Sequence, residues 1–235
     1  MPEPFRVLVV DDEPLAREGV RSLCEADPEL SVVGEAASGA GAARAIADLR
    51  PDLVFFDVEM PAGDAFDALA RVEPAARPLF VFVTAHEHYA RRAFDVRAVD
   101  YLLKPFTDAR FAEALARAKE ALSAARRRAP LAVRESGRVR YVDPGAIDWV
   151  EAADYYVELH VGGSSLLYRE SMQALEGRLD PARFVRIHRK AIVNLDRVVE
   201  VVRAGRQWQV VLADGVRLPV SDRARERLRG RLGSV

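Results

Sequence analysis

The sequence predicts a five-stranded, doubly wound parallel α/β domain followed by a mostly-β domain. Three observations carry this. Between residues 5 and 125, short apolar runs alternate five times with segments of helical period. From residue 131 on, short strand-like runs punctuated by glycine and proline take over. The charge divides at the same place. Residues 1–122 carry 14 Lys+Arg against 22 Asp+Glu, and residues 123–235 carry 21 against 14. A chain of 235 residues, half of them apolar, can build two cores of ordinary size.

In the first half, residues 5–10 form an apolar run ending in Asp11-Asp12, read as a buried strand. Pro14 suits a first helical turn, and Leu15, Gly19, Val20 and Leu23 follow at helical spacing. A second strand is expected at 30–36, then an Ala-rich helix capped by Ser38 and stopped at Arg50-Pro51. The third strand, 53–56, ends at Asp57, with a helix near 64–72 after it. The fourth, 79–83, ends at Thr84 and precedes a helix over 88–96. The fifth, 99–103, ends at Lys104-Pro105, and a long helix over 107–125 closes the unit.

Apolar strands in βα repeats mean a parallel sheet with helices on both faces, and chemistry in such sheets sits beyond the C-terminal strand ends. Asp11, Asp12, Asp57, Thr84 and Lys104 all fall at those ends. Crowded carboxylates repel one another and attract a cation. All-oxygen ligands with open positions suit Mg²⁺, which also accepts phosphate oxygens. A carboxylate beside such a metal can attack a phosphoryl group and form an acyl phosphate. A lysine and a hydroxyl are the groups that a phosphoryl oxygen needs nearby. Read one at a time, the acids are equally well loop caps and the lysine a surface charge. Together they form a constellation.

Four segments carry a resemblance. They are Val9-Val10-Asp11-Asp12-Glu13, Phe56-Asp57-Val58-Glu59-Met60-Pro61, Val83-Thr84-Ala85 and Asp100-Tyr101-Leu102-Leu103-Lys104-Pro105-Phe106. With them, residues 4–122 resemble a CheY-like receiver domain of the two-component response regulators. The resemblance implies Asp57 as phosphoacceptor, with a sensor histidine kinase as phosphodonor. It implies Mg²⁺ held by Asp12, Asp57 and the backbone carbonyl of Glu59, with Asp11 acting through water. Thr84 and Lys104 would contact the phosphoryl group, and the Lys104–Pro105 bond would be cis. Tyr101 would be the aromatic switch, the alternative being an ordinary half-buried strand residue. The stretch Met60-Pro61-Ala62-Gly63-Asp64 departs from the family's glycine-rich wording, which puts that loop's conformation in question.

The segment 123–130, with Arg126-Arg127-Arg128 and Pro130, reads as a linker. Its arginines suit a solvated helix end as well as nucleic acid. Beyond it, strands are expected at 131–134, 138–142, 146–151, 155–161 and 164–168. A helix over 171–179 follows, then strands at 184–188, 191–194, 198–202, 208–212 and 216–220, and a basic helix or tail over 221–232. Asp214-Gly215 is a hairpin signal. No helix-turn-helix, zinc-ligand spacing or RNP aromatic pattern is present, so the residues alone indicate a basic, mostly antiparallel β domain.

Within an expected domain at 131–235, residues ~131–229 also resemble a known family, the LytTR DNA-binding domains. The resemblance rests on Ile147-Asp148-Trp149-Val150-Glu151-Ala152, on the run from Phe184 to Leu195, and on Leu218-Pro219-Val220-Ser221-Asp222-Arg223. It implies that duplex DNA is read by loops. Arg189 is the expected base-edge contact, and Lys190, Arg223 and Arg225 are expected phosphate contacts. His188 serves either as a phosphate contact or as a structural hydrogen bond. Tyr155 and Tyr156 are backbone-contact candidates, with at least one expected to pack in the sheet. Ile187, Ile192, Val193 and Trp208 are expected in the core. Lys190 and Asp222 depart from the family's commoner serine and basic residue, and the acid should weaken DNA binding locally or alter its preference.

The resemblance implies a regulator that dimerises on phosphorylation. Two readings compete: an aspartyl phosphatase with Glu59 as second carboxylate, and a receiver that controls an RNA-binding or protein-docking module. No apolar run approaches the ~18–20 residues of a membrane span. Met1-Pro2-Glu3-Pro4 lacks the features of a secretion signal, and Cys24 is the single cysteine, expected as a small buried residue. A cytoplasmic protein is therefore expected.

Overall fold

A computed structural model describes residues 3–60, 63–135 and 137–232. Pro61 and Ala62, in the loop with the unusual wording, lie outside the described residues, as do Met1-Pro2 and the last three residues of the expected C-terminal domain. The chain divides into two compact units, one from Glu3 to Ser123 and one from Ala124 onward.

In the first unit the strands are β1 (Phe5–Val10), β2 (Leu30–Ala36), β3 (Leu53–Phe56), β4 (Leu79–Thr84) and β5 (Asp100–Leu103). All pairs are parallel, in the order β2-β1-β3-β4-β5. The helices between and after them are α1 (Pro14–Glu25), α2 (Gly39–Leu49), α3 (Ala65–Ala70), α4 (Ala90–Asp95) and α5 (Asp108–Arg128). Side chains alternate across each strand, so two cores form. Val7 and Val9 pack with Val20 and Cys24 of α1 and Phe111, Ala114 and Ala118 of α5. Leu8 and Val10 pack with Ile46 of α2, Phe66 and Leu69 of α3 and Ala93 of α4. Cys24 is fully buried, and burial pushes its thiol up to about 12.

The local signals act as expected. Ser38 caps α2 by accepting from the Gly41 amide at 3.2 Å, and Arg50 ends that helix in the left-handed region at φ 47°. Several boundaries differ by a residue or two, and two helices differ in kind or extent. The expected helix over 88–96 is a 3₁₀ turn, Glu87–Tyr89, followed by the short α4. The last helix continues to Arg128, through most of the segment expected as linker. Nothing before Ala129-Pro130 breaks it, and the three arginines complement its C-terminal dipole.

The second unit contains β6 (Leu131–Glu135), β7 (Arg138–Val142), β8 (Trp149–Ala153), β9 (Tyr156–Val161), β10 (Ser164–Tyr168) and α6 (Met172–Arg178). After them come β11 (Phe184–His188), β12 (Ala191–Asn194), β13 (Val198–Ala204), β14 (Gln207–Leu212), β15 (Arg217–Val220) and α7 (Asp222–Leu232). They form an antiparallel sheet in the order β10-β9-β8-β12-β11, a three-stranded sheet β13-β14-β15 and the hairpin β6-β7. One face of the larger sheet (Val150, Val157, Leu159, Ile192) packs with the hairpin and α6. The other (Trp149, Val185, Ile187, Val193) packs with the three-stranded sheet and α7.

Asn194, fully buried, donates to the Ile147 carbonyl at 2.8 Å and accepts from the Asp196 amide at 3.1 Å. A buried polar group satisfied on both sides costs little. The expected strand over 146–151 begins later, because Pro144–Ala146 is a 3₁₀ turn capped by Asp143. Trp208, expected in the core, is only partly buried at its margin, with the Arg225 guanidinium 5.4 Å from its ring centroid.

Candidate functional site

Four parallel strands deliver their C-terminal ends to one edge. The register pairs Val10 with Phe56 and Thr84 with Leu103. The Asp57 amide donates to the Val10 carbonyl at 2.8 Å, and the Lys104 amide to the Thr84 carbonyl at 2.8 Å. Residues immediately past the strands are therefore fixed by the sheet itself. Lys104 Nζ lies 2.7 Å from Asp11 Oδ2 and 2.7 Å from Asp57 Oδ2. Asp11, Asp57 and Thr84 are buried, and Asp12 is half-buried. Carboxylate oxygens of Asp11, Asp12 and Asp57 lie within 4.8 Å of one another.

The electrostatics follow from this crowding. Burial pushes the Asp57 carboxyl above its ordinary value, against the hydrogen bond and charge of Lys104. Burial opposes the Lys104 ammonium, but its hydrogen bonds to Asp11 and Asp57 hold it above the usual lysine range. Three carboxylates face one ammonium, so the cluster carries uncompensated negative charge. A donor set of oxygens alone fits a hard divalent cation.

Neighbouring groups hold the pocket's walls. Asp11 Oδ1 accepts from the Glu13 amide at 3.0 Å, and Asp57 Oδ1 from the Glu59 amide at 3.3 Å. Arg17 donates to the Asp11 carbonyl at 2.7 Å. Thr84 Oγ1 accepts from the His86 amide at 3.4 Å. Tyr101, half-buried, donates its hydroxyl to the His86 carbonyl, so it meets the loop that follows Thr84.

Sequence reasoning missed the partners of the Glu59 side chain. It accepts from the Tyr89 hydroxyl at 2.8 Å and lies 3.0 Å from His86 Nε2. Its partners are some thirty residues away in sequence, across the sheet edge, and no local pattern links them.

In the second unit, three loops gather at one end of the larger sheet. The turn between β8 and β9 carries Tyr155, with Asp154 in the left-handed region at φ 51°. The turn between β11 and β12 carries Arg189 and Lys190, both exposed. The Ala152 amide donates to the Lys190 carbonyl at 2.9 Å, which joins these two turns. The Ser221 amide and hydroxyl both donate to the Ile187 carbonyl, at 2.9 and 3.1 Å, which brings the start of α7 beside them.

Arg223 is exposed and Arg225 half-buried against Trp208. His188 Nδ1 accepts from the Lys190 amide at 3.3 Å, the structural hydrogen bond of the two alternatives. Tyr155 and Tyr156 are both exposed, whereas at least one was expected to pack in the sheet. The left-handed Asp154 turns the chain so that Tyr155 falls in the turn itself. Arg186, which the motif reading did not single out, donates to the Arg189 carbonyl at 2.9 Å and braces this loop.

Comparison with known proteins agrees with this division. The response regulator receiver domain model matches residues 7–116, and the LytTr DNA-binding domain model matches residues 137–233. The transcriptional regulatory protein BtsR of Escherichia coli (strain K12) is 31% identical over 241 residues, covering 97% of this chain and 99% of that protein. This chain belongs to the LytTR response regulators.

As a LytTR response regulator it is a two-component transcriptional regulator, not a conventional enzyme. The sensory transduction protein LytT of Bacillus subtilis (strain 168) is 30% identical over 229 residues, covering 92% of this chain and 94% of that one. Among solved structures, the receiver domain of the putative response regulator NarL from Mycobacterium tuberculosis is 35% identical with a TM-score of 0.46, covering 50% of this chain and 98% of that one. The LytTr DNA-binding domain of a Bacillus cereus regulator is 22% identical with a TM-score of 0.41, covering 45% and 97%. Among the described residues of this LytTR response regulator, no helix is long and apolar enough to cross a membrane.

Proposed function

We propose that this regulator, a cytoplasmic protein, stores its signal as an acyl phosphate on Asp57 and passes it to a loop-based reader of duplex DNA. The assignment covers residues 4–122 as receiver, 123–130 as the connection and 131–235 as the DNA-binding domain. The observation that carries it is the placement of one lysine 2.7 Å from two buried carboxylates at the C-terminal edge of a parallel sheet. A Mg²⁺ ion would be held by Asp12, Asp57 and the Glu59 carbonyl, with Asp11 through water, and would neutralise charge on the phosphoryl oxygens. Asp57 attacks the phosphorus of the kinase's phosphohistidine. A P–O bond forms to its carboxylate as the P–N bond breaks, and the departing imidazole takes up a proton.

Lys104 leaves its carboxylate partners for the new phosphoryl oxygens, and the Thr84 hydroxyl follows. The loop bearing His86 then shifts, and Tyr101, bonded to that loop, repacks. The equilibrium moves by the difference in contacts between two packings. Phosphorylated receivers pair, and the paired DNA-binding domains engage their site through Arg189 on base edges and Lys190, Arg223 and Arg225 on phosphates. Tyr155, Tyr156 and His188 flank the same surface. Asp222, exposed in the first turn of α7, suits that helix's dipole but repels a phosphate brought close.

Intact-mass analysis after treatment with acetyl phosphate and Mg²⁺ tests the first step. One phosphoryl adduct, mapped to Asp57 and absent from Asp57→Ala, is expected. An adduct retained by Asp57→Ala would remove the proposal's foundation.

A further inference from the structure

A second ligand-type cluster lies in the DNA-binding domain, outside everything assigned above. The β8–β9 register places Glu151 opposite Glu158 and Trp149 opposite His160. Residues two apart on a strand share a face, so all four side chains lie together. Like charges directly opposite each other on a ladder are destabilising. Among the described residues, neither glutamate side chain has a hydrogen-bond or ion-pair partner. The His160 ring lies flat on Trp149, with centroids 3.6 Å apart and planes 2° apart. Its Nε2 is sealed from solvent and has no hydrogen-bond partner. Ligand atoms of Glu151, Glu158 and His160 fall within 4.8 Å of one another. The charges of Asp148 and Asp214 act on the same imidazole.

We infer that Glu151, Glu158 and His160 form a binding site for a divalent transition-metal ion of the Zn²⁺ class, clasping the β8–β9 hairpin. Two features argue for it independently. The opposed glutamates are a repulsion that a cation removes. The imidazole is an orphaned donor whose orientation the stacked indole already fixes, so little entropy remains to be lost on ligation. An imidazole with two carboxylates suits Zn²⁺, Co²⁺, Ni²⁺ or Cu²⁺, whereas Mg²⁺ prefers oxygen alone. Three protein ligands leave positions open to water. Glu151 and Glu158 each sit three residues from the turn that carries Tyr155, so a bound ion stiffens the hairpin presenting that turn.

Calorimetric titration of the full chain with Zn²⁺, in a large excess of Mg²⁺ to occupy the Asp11–Asp12–Asp57 cluster, tests the site. One Zn²⁺ per chain is expected. His160→Gln and Glu158→Gln should each weaken binding tenfold or more, and His88→Gln should leave it unchanged. Glu158→Gln should also raise the melting temperature of the metal-free protein, since it ends the repulsion, so its loss of binding cannot be misfolding. Cu²⁺ should quench tryptophan fluorescence, and Trp149→Phe should abolish most of that quenching. Stoichiometric Zn²⁺ binding that survives His160→Gln, or its absence from the wild-type chain, would overturn the inference.

Discussion

At the scale of single residues, the receiver pocket is a problem in charge. Asp11 and Asp57 share one ammonium, and burial already works against the Asp57 carboxylate. Lys104→Ala removes the ammonium that lies 2.7 Å from both carboxylates. Breaking a buried pair from one side costs about 3 kcal/mol. Thermal melts in chelator should show that loss, and Mg²⁺ should restore much of it. Asp57→Asn acts in the opposite direction. A carboxyl whose folded pKa is raised disfavours the folded state once ionised. That penalty is absent below the unfolded value of about 3.9 and develops as pH rises through the folded value. The metal-free Asp57→Asn variant should therefore match wild type in acid and exceed it at neutral pH. A constant difference across the pH range would contradict the assigned burial cost.

At the scale of elements, the strands were readable because each is a short apolar run ended by a polar residue or turn. Seven of the expected strands have the bounds found, β1 at residues 5–10 and β11 at 184–188 among them. The misreadings have local causes. The run 146–151 looked continuous, but Pro144-Gly145 folds its first residue into a 3₁₀ turn. Tyr155 looked like a strand residue because it adjoins Tyr156, yet Asp154 adopts a left-handed conformation that aromatic patterning does not announce. The acidic pocket was legible because all its members sit at strand ends. The bracing by Glu59 and Ser221 was not, because it crosses between elements.

Asp100, at the start of β5, shows what such bracing does. Burial opposes its charge, but Arg110, the Tyr101 amide and Arg117 together hold its carboxyl below the ordinary value. Its contribution is present above the unfolded pKa and is lost as pH falls through the folded one. Asp100→Asn should remove part of the wild-type chain's acid sensitivity in melts, while an unchanged acid limb would refute the assignment. In the loops, Arg189→Ala should cost about 1–3 kcal/mol of DNA binding and relax preference at one base pair. Lys190→Ala should lower the slope of log affinity against log salt by about 1 without changing preference. Band-shift titrations across salt concentrations separate the two effects.

At the scale of the whole molecule, acidic and basic halves divide the work. The acidic unit carries the Asp11–Asp12–Asp57 cluster proposed to take a cation and a phosphoryl group, and the basic unit presents three loops suited to a polyanion. A basic β domain by itself left RNA open as a partner. The match of residues 137–233 to the LytTr DNA-binding domain narrows this to DNA. The central claim is that chemistry at Asp57 governs DNA affinity through the full chain. Fluorescence anisotropy on a selected duplex site, with and without acetyl phosphate and Mg²⁺, measures this coupling directly. Wild type should gain roughly 5–150-fold in affinity, the range of ordinary coupling energies, and Asp57→Ala should gain none. An equal response from Asp57→Ala, or none from a wild-type chain shown to be phosphorylated, would contradict the account.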